Sequence, residues 1–151
     1  MKKPLNNIKV LDLTHMLSGP YGGMILADLG CEVIKVEPPI KGEGTRRLLE
    51  NDSNYSLNGM GAYFYTLNRN KKSIVIDLKS ENGKEKFLAL VENADVLVEN
   101  FRPGVMERLG LGPDVCQKRN EKIVYGRMTG WGQTGPLANA AGHDINYISL
   151  S

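Results

Sequence analysis

Residues 8–37 read IKVLDLTHMLSGPYGGMILADLGCEVIKVE. A β-rich run at 8–13 gives way to a helix-like stretch at 20–29, with apolar side chains at Tyr21, Met24, Ile25, Ala27 and Leu29. Gly30 stands where a left-handed cap stops a helix, and a second β-rich run follows at 32–37. This order predicts a βαβ unit. Moving outward, further β-rich runs at 73–78, 95–100 and 122–127 bring the count to about five strands. Helices are predicted between them. Ser80 caps one in which Phe87, Leu88, Val91 and Ala94 share a face; Pro103 and Gly110 bracket a second around GVMERL; Pro113 starts a third that runs to Asn120. The aliphatic runs Val33-Ile34, Ile74-Val75-Ile76 and Val96-Leu97-Val98 predict parallel strands covered on both faces. The fold class is therefore α/β, with a mostly parallel sheet and helices on both faces.

A chain of 151 residues with 41% hydrophobic and 24% charged residues suits one compact domain with a core of useful size. Lys and Arg number 19 against 17 Asp and Glu, a formal charge of +2 with no dense basic block. That balance excludes nucleic acid and the membrane surface as partners. No apolar span of transmembrane length occurs, and the opening MKKPLNNIKVLD lacks the apolar core of a secretory signal. Cys31 and Cys116 stand far apart with no Cys or His at metal-ligand spacing. They read as buried thiols in a reducing cytoplasm, with no metal site.

Two stretches break the alternation. Residues 38–60 are rich in Gly, Asn, Ser and charge and are too long for an ordinary connection, as in loops that cover ligands. Residues 129–142, TGWGQTGPLANAAG, are irregular, and HDINYISLS then opens a helix with Ile145 and Ile148 on one side. The sequence ends inside that helical run, which reads as a fragment of a larger domain.

Four features carry candidate chemistry. GWGQTG at 130–135 matches the dinucleotide fingerprint G-x-G-x-x-G, the one support for a nicotinamide oxidoreductase, but Pro136 and small residues follow where a helix should open. A Gly-rich turn is the better reading. In the turn at 14–23, Gly22 and Gly23 either let a ligand approach backbone N–H groups or merely let the helix pack closely. Cations at Arg46-Arg47, Arg69, Lys71-Lys72, Lys79, Arg102 and Arg108 stand near loop ends, which suits a substrate bearing several phosphates. His143, at a helix start, is a candidate general base, with Asp144 as the N-cap that orients the helix or tunes the imidazole.

Taken together, IKVLDLTHMLSGPYGGMILADLG, CEVIKVEPP, NRNKKSIVIDLKSENGK, ADVLVENFRPGVMERLGLGPD and RMTGWGQTGPLANAAGHDINYISLS resemble, in order and spacing, the class III coenzyme A transferases of the CaiB/BaiF type and their relatives the α-methylacyl-CoA racemases. The ending GHDINYISLS resembles the racemase branch; many transferases carry another residue, such as phenylalanine, in place of this histidine. The resemblance implies a Rossmann-like large domain, of which residues 1–151 are the N-terminal part, a smaller second domain from later sequence, and an interlaced homodimer. It implies an acyl-CoA thioester as substrate, with coenzyme A as part of that substrate and no permanently bound cofactor. Coenzyme A contacts are implied at Met16, Leu17, Ile76, Lys79, Asn100, Phe101 and Arg108. Pro38 stands where some members place a nucleotide-binding arginine, a role left to Arg46 or Arg47. His143 is implied as one of two bases flanking the substrate α-carbon, the other an aspartate beyond Ser151; in transferases an aspartate downstream forms acyl anhydrides.

Overall fold

A computed structural model describes residues 3–52 and 54–150. Strand β1 (Lys9–Asp12) leads through helix α1 (Ser18–Asp28) to β2 (Glu32–Glu37). A small hairpin, β3 (Ser56–Leu57) with β4 (Met60–Gly61), and helix α2 (Ala62–Leu67) precede β5 (Lys72–Val75). Then follow α3 (Glu81–Val91), β6 (Val96–Glu99), α4 (Val105–Arg108), α5 (Pro113–Arg119), β7 (Val124–Arg127) and α6 (Asp144–Ile148). The main sheet has the order β5-β2-β1-β6-β7 and every pairing in it is parallel. Successive strands are laid down outward from β1 on one side and then, from β6, on the other. That reversal opens a crevice between the carboxyl ends of β1 and β6, where open α/β sheets bind their ligands.

Side chains alternate across β1, so its two faces bury different partners. Val10 and Val33 pack with Ala27 and Cys31 beneath α1. Leu11, Leu13 and Leu97 pack on the opposite face with Phe87 and Val91 of α3, Met106 of α4 and Cys116 of α5. Helices thus cover both faces, as the sequence predicts. Ser80 caps α3 as expected, its hydroxyl accepting the Gly83 N–H at 3.0 Å, and Pro113 occupies the first turn of α5.

Three expectations need correction. The third strand of the main sheet ends at Val75 rather than at residue 78. Asp77 turns the chain there, its carboxylate accepting the Lys79 N–H at 3.0 Å and its carbonyl the Ser80 N–H at 3.1 Å. Cover on both faces fails at the sheet's edges, where Val75 in β5 and Val124 in β7 are each 62% exposed. The segment 38–60 is not wholly irregular: it contains a 3-10 turn (Gly44–Arg46) and the hairpin, and α2 follows. Such short elements carry too few residues to show a period. Cys31 and Cys116 are buried and unpaired, and burial pushes the Cys116 thiol up to about 11.

Candidate functional site

The crevice is built by two loops that hydrogen-bond each other across the switch point. After β1, the His15 N–H donates to Asn100 Oδ1 at 2.8 Å; in return Asn100 Nδ2 donates to the His15 carbonyl at 2.9 Å. The His15 ring stands edge-on to Phe101 at 4.9 Å between centroids. Burial, reinforced by the nearby Lys35 charge, lowers the His15 pKa from its usual 6.5, so the ring is neutral at pH 7. Next to it Met16 adopts a left-handed backbone (φ 67°), uncommon for a residue with a side chain, and its N–H donates to the buried Glu43 carboxylate at 2.9 Å.

Two hollows flank Phe101. A cleft of about 630 Å³ is lined by Met16, Asn100, Phe101, Arg102, Trp131 and His143, among others. A smaller hollow of about 160 Å³ is lined by His15, Pro38, Ile76, Lys79, Phe101 and Leu109, among others. Of the sequence-derived candidates, Met16, Asn100, Phe101 and His143 thus meet in the cleft, while Ile76 and Lys79 meet across the Phe101 wall. Leu17, Arg108 and Asp144 are exposed and line neither hollow. Leu17 holds the cap position of α1 and Arg108 ends α4.

His143, not Asp144, occupies the cap position of α6; Asp144 is the first helical residue. The His143 backbone is extended and its N–H donates to Asn146 Oδ1 at 3.0 Å, so the helix begins one residue earlier than Asp144 as a cap would require. Trp131 and Tyr147 pack with ring centroids 5.2 Å apart, pinning the 129–142 loop onto α6. Gly142 makes this possible, because a Cβ there would lie 2.5 Å from the Tyr147 hydroxyl. No helix opens after GWGQTG until α6, which agrees with a Gly-rich turn and not with a dinucleotide fingerprint.

Beneath the site lies a buried ionic network that the sequence reading missed. Asp12 pairs with Lys71 at 2.7 Å and with Lys35 at 3.9 Å, all three side chains at most 1% exposed. Thr14 donates its N–H to Asp12 at 2.8 Å, and Lys35 donates to the Thr14 carbonyl at 2.8 Å. Gly23 is needed here for close packing: a Cβ would lie 2.7 Å from Asp12 Oδ2. Gly22 has open space beside it. The charged Lys35 and Glu37 alternating with aliphatic residues in β2 were the available signal.

Several cations expected to face phosphates are committed elsewhere. Arg46 grips Glu37 through two bonds of 2.6 Å and lies 3.7 Å over the Phe64 ring. Arg69 pairs with Asp28, Lys71 with Asp12 and Lys72 with Glu32. Among the described residues Arg47, Lys79, Arg102 and Arg108 make no ion pair. Nor do the described residues hold a group of three His, Cys, Asp or Glu arranged for a metal.

Glu37 sets an acid limit. Burial alone would raise its pKa, but hydrogen bonds from Arg46, Ser73 and the Glu43 N–H overcome this and hold it down, from 4.5 to about 2. A depressed folded-state value stabilises the fold above pH 4.5, and that contribution is lost as pH falls through about 2. Urea titrations between pH 7 and 2 are expected to show a loss of roughly 3 kcal/mol from this group, absent in Glu37→Gln.

An open, parallel α/β sheet with a two-chambered crevice at its switch point defines a doubly wound α/β fold. The sequence profile of CoA-transferase family III matches residues 5–151, and the chain belongs to that family. It is 47% identical over 99% of its length to the acetyl-CoA:oxalate CoA-transferase of Acetobacter aceti, covering 37% of that protein. It is 39% identical over 97% of its length to the human alpha-methylacyl-CoA racemase, covering 34% of it. The crystal structure of a CaiB/BaiF family protein from Brucella suis superposes with a TM-score of 0.90 at 38% identity, over 99% of this chain and 39% of that one. The chain therefore spans little more than a third of these relatives. No described helix is long and apolar enough to cross a membrane.

Proposed function

We propose that this chain is the acyl-CoA-binding part of a racemase that inverts the α-carbon of a 2-methyl-branched acyl-CoA, with His143 as one of its two bases. The observation that carries this is the placement of the His143 imidazole on the same cleft as Met16, Asn100 and Phe101. In this reading the nucleotide end of coenzyme A lies at the smaller, more apolar hollow at Ile76, where Lys79 is available to a phosphate, and the thioester passes Phe101 into the wider cleft. Coenzyme A is part of the substrate, and no resident cofactor is needed. His143 takes the α-proton, the electron pair moves onto the thioester oxygen as an enolate, and a second acid returns a proton to the opposite face. The cleft's described lining holds no carboxylate; in this proposal the second acid is an aspartate supplied from elsewhere in a larger, two-domain, interlaced dimer. Residues 1–151 alone are accordingly expected to turn over no substrate. Appreciable racemisation by this chain in isolation would refute that.

A second reading is coenzyme A transfer between carboxylic acids through an acylated aspartate, supported by the 47% identity to an acetyl-CoA:oxalate CoA-transferase. One experiment on the full-length protein separates the two. With a 2-methylacyl-CoA in deuterated water, racemisation exchanges the α-proton without consuming the thioester; transfer leaves the α-proton in place and gives an acyl-enzyme that hydroxylamine traps. No exchange together with trapped acyl-enzyme would discard the racemase reading.

A further inference from the structure

We propose that Glu43 is a positioning residue for the acyl-CoA cleft: its buried carboxylate holds the Met16 amide and so fixes the turn that forms one wall of the cleft. The ligand's identity rests on the acyl-CoA reading above. Met16 keeps a left-handed backbone at φ 67°, a conformation that persists in a non-glycine residue only where its surroundings over-determine it. Two clamps do so. Asn100 bonds both backbone groups of His15, and Glu43 Oε1 accepts the Met16 N–H at 2.9 Å.

Glu43 is itself immobilised. It is 1% exposed, its other carboxylate oxygen accepts the Thr45 hydroxyl, and its N–H donates to Glu37 Oε2 at 2.9 Å. Glu37 is in turn held by Arg46 at 2.6 Å and Ser73 at 2.5 Å. A relay of buried and part-buried hydrogen bonds therefore runs from β5 through the segment after β2 to the β1–α1 turn. Burying a carboxylate is costly where an apolar side chain would serve packing alone. What the carboxylate supplies here is an acceptor aimed at one backbone N–H. Met16 is 52% exposed on the cleft side of that bond. Glu43 thus shapes the wall without touching the ligand, and ties the 38–47 segment to the pocket.

The test uses the full-length protein, with acetyl-CoA as the probe in calorimetry and hydrogen exchange read at the Met16 amide. Glu43→Ala is expected to weaken acetyl-CoA binding about tenfold and to speed exchange at Met16, with Leu11 and Leu97 as protected as in the wild type. Glu43→Gln retains an acceptor oxygen and is expected to restore binding to within about threefold. Should Glu43→Ala fail to fold, Thr45→Val removes only the hydroxyl that steadies the carboxylate and is expected to shift both readouts the same way, by less. A wild type that does not bind acetyl-CoA overturns the acyl-CoA reading. A wild type that binds, beside variants with unchanged affinity and unchanged Met16 exchange, overturns the role given to Glu43.

Discussion

Asp12→Ala is expected to destabilise the protein by about 3–5 kcal/mol, a large share of the margin of an ordinary domain. Asp12 is fully buried on the central strand and faces two ammonium groups, Lys71 at 2.7 Å and Lys35 at 3.9 Å. Removing the carboxylate leaves two buried cations without the counter-charge they share, and strips the Thr14 N–H of its acceptor. Lys71 retains only the neutral acceptors Pro20 O and Asn68 Oδ1, each at 2.9 Å. Urea denaturation at pH 7 reads the effect. A midpoint within experimental error of the wild type would show that water or rearrangement satisfies both lysines, and the network would then not be a mainstay of the fold. Substituting Lys71→Met in the Asp12→Ala background is expected to recover part of the loss, because the uncompensated charge is the costly element.

His143→Ala in the full-length protein is expected to slow exchange of the substrate α-proton by about 10²–10⁴-fold, the usual contribution of a positioned general base. Binding of acetyl-CoA should change little, because Asn100, Phe101, Ile76 and Lys79 are untouched and the α6 cap bond uses the residue 143 backbone N–H, which alanine keeps. Loss of exchange with retained binding places the imidazole at the reacting carbon. Full exchange activity in the variant would move the base elsewhere and leave His143 a helix cap.

Most of the architecture was legible because parallel sheets concentrate their signal. The runs at 8–13, 32–37, 95–100 and 122–127 each contain the observed strand, and the Ser80, Gly110 and Pro113 signals fall at helix boundaries. The hairpin and α2 were not legible, since elements of two to six residues are held by neighbours rather than by their own periodicity. The site was legible in part. Met16, Asn100, Phe101 and His143 line one cleft, whereas Leu17, Arg108 and Asp144 stand outside the described hollows. The internal pairing of Arg46, Arg69, Lys71 and Lys72 was not legible, because a lysine or arginine carries no sign in the sequence of whether its anionic partner is a ligand or another part of the chain.

From residue order alone come the parallel α/β class, the family and the glycine-rich turn before His143, because these depend on local propensity and on motifs contiguous in the chain. Only the folded molecule could reveal that Asp12 meets Lys71, that Asn100 bonds His15 and that Glu43 reaches Met16. These pairs lie 59, 85 and 27 positions apart, and their energy exists only where the sheet's strand order removes them from water together.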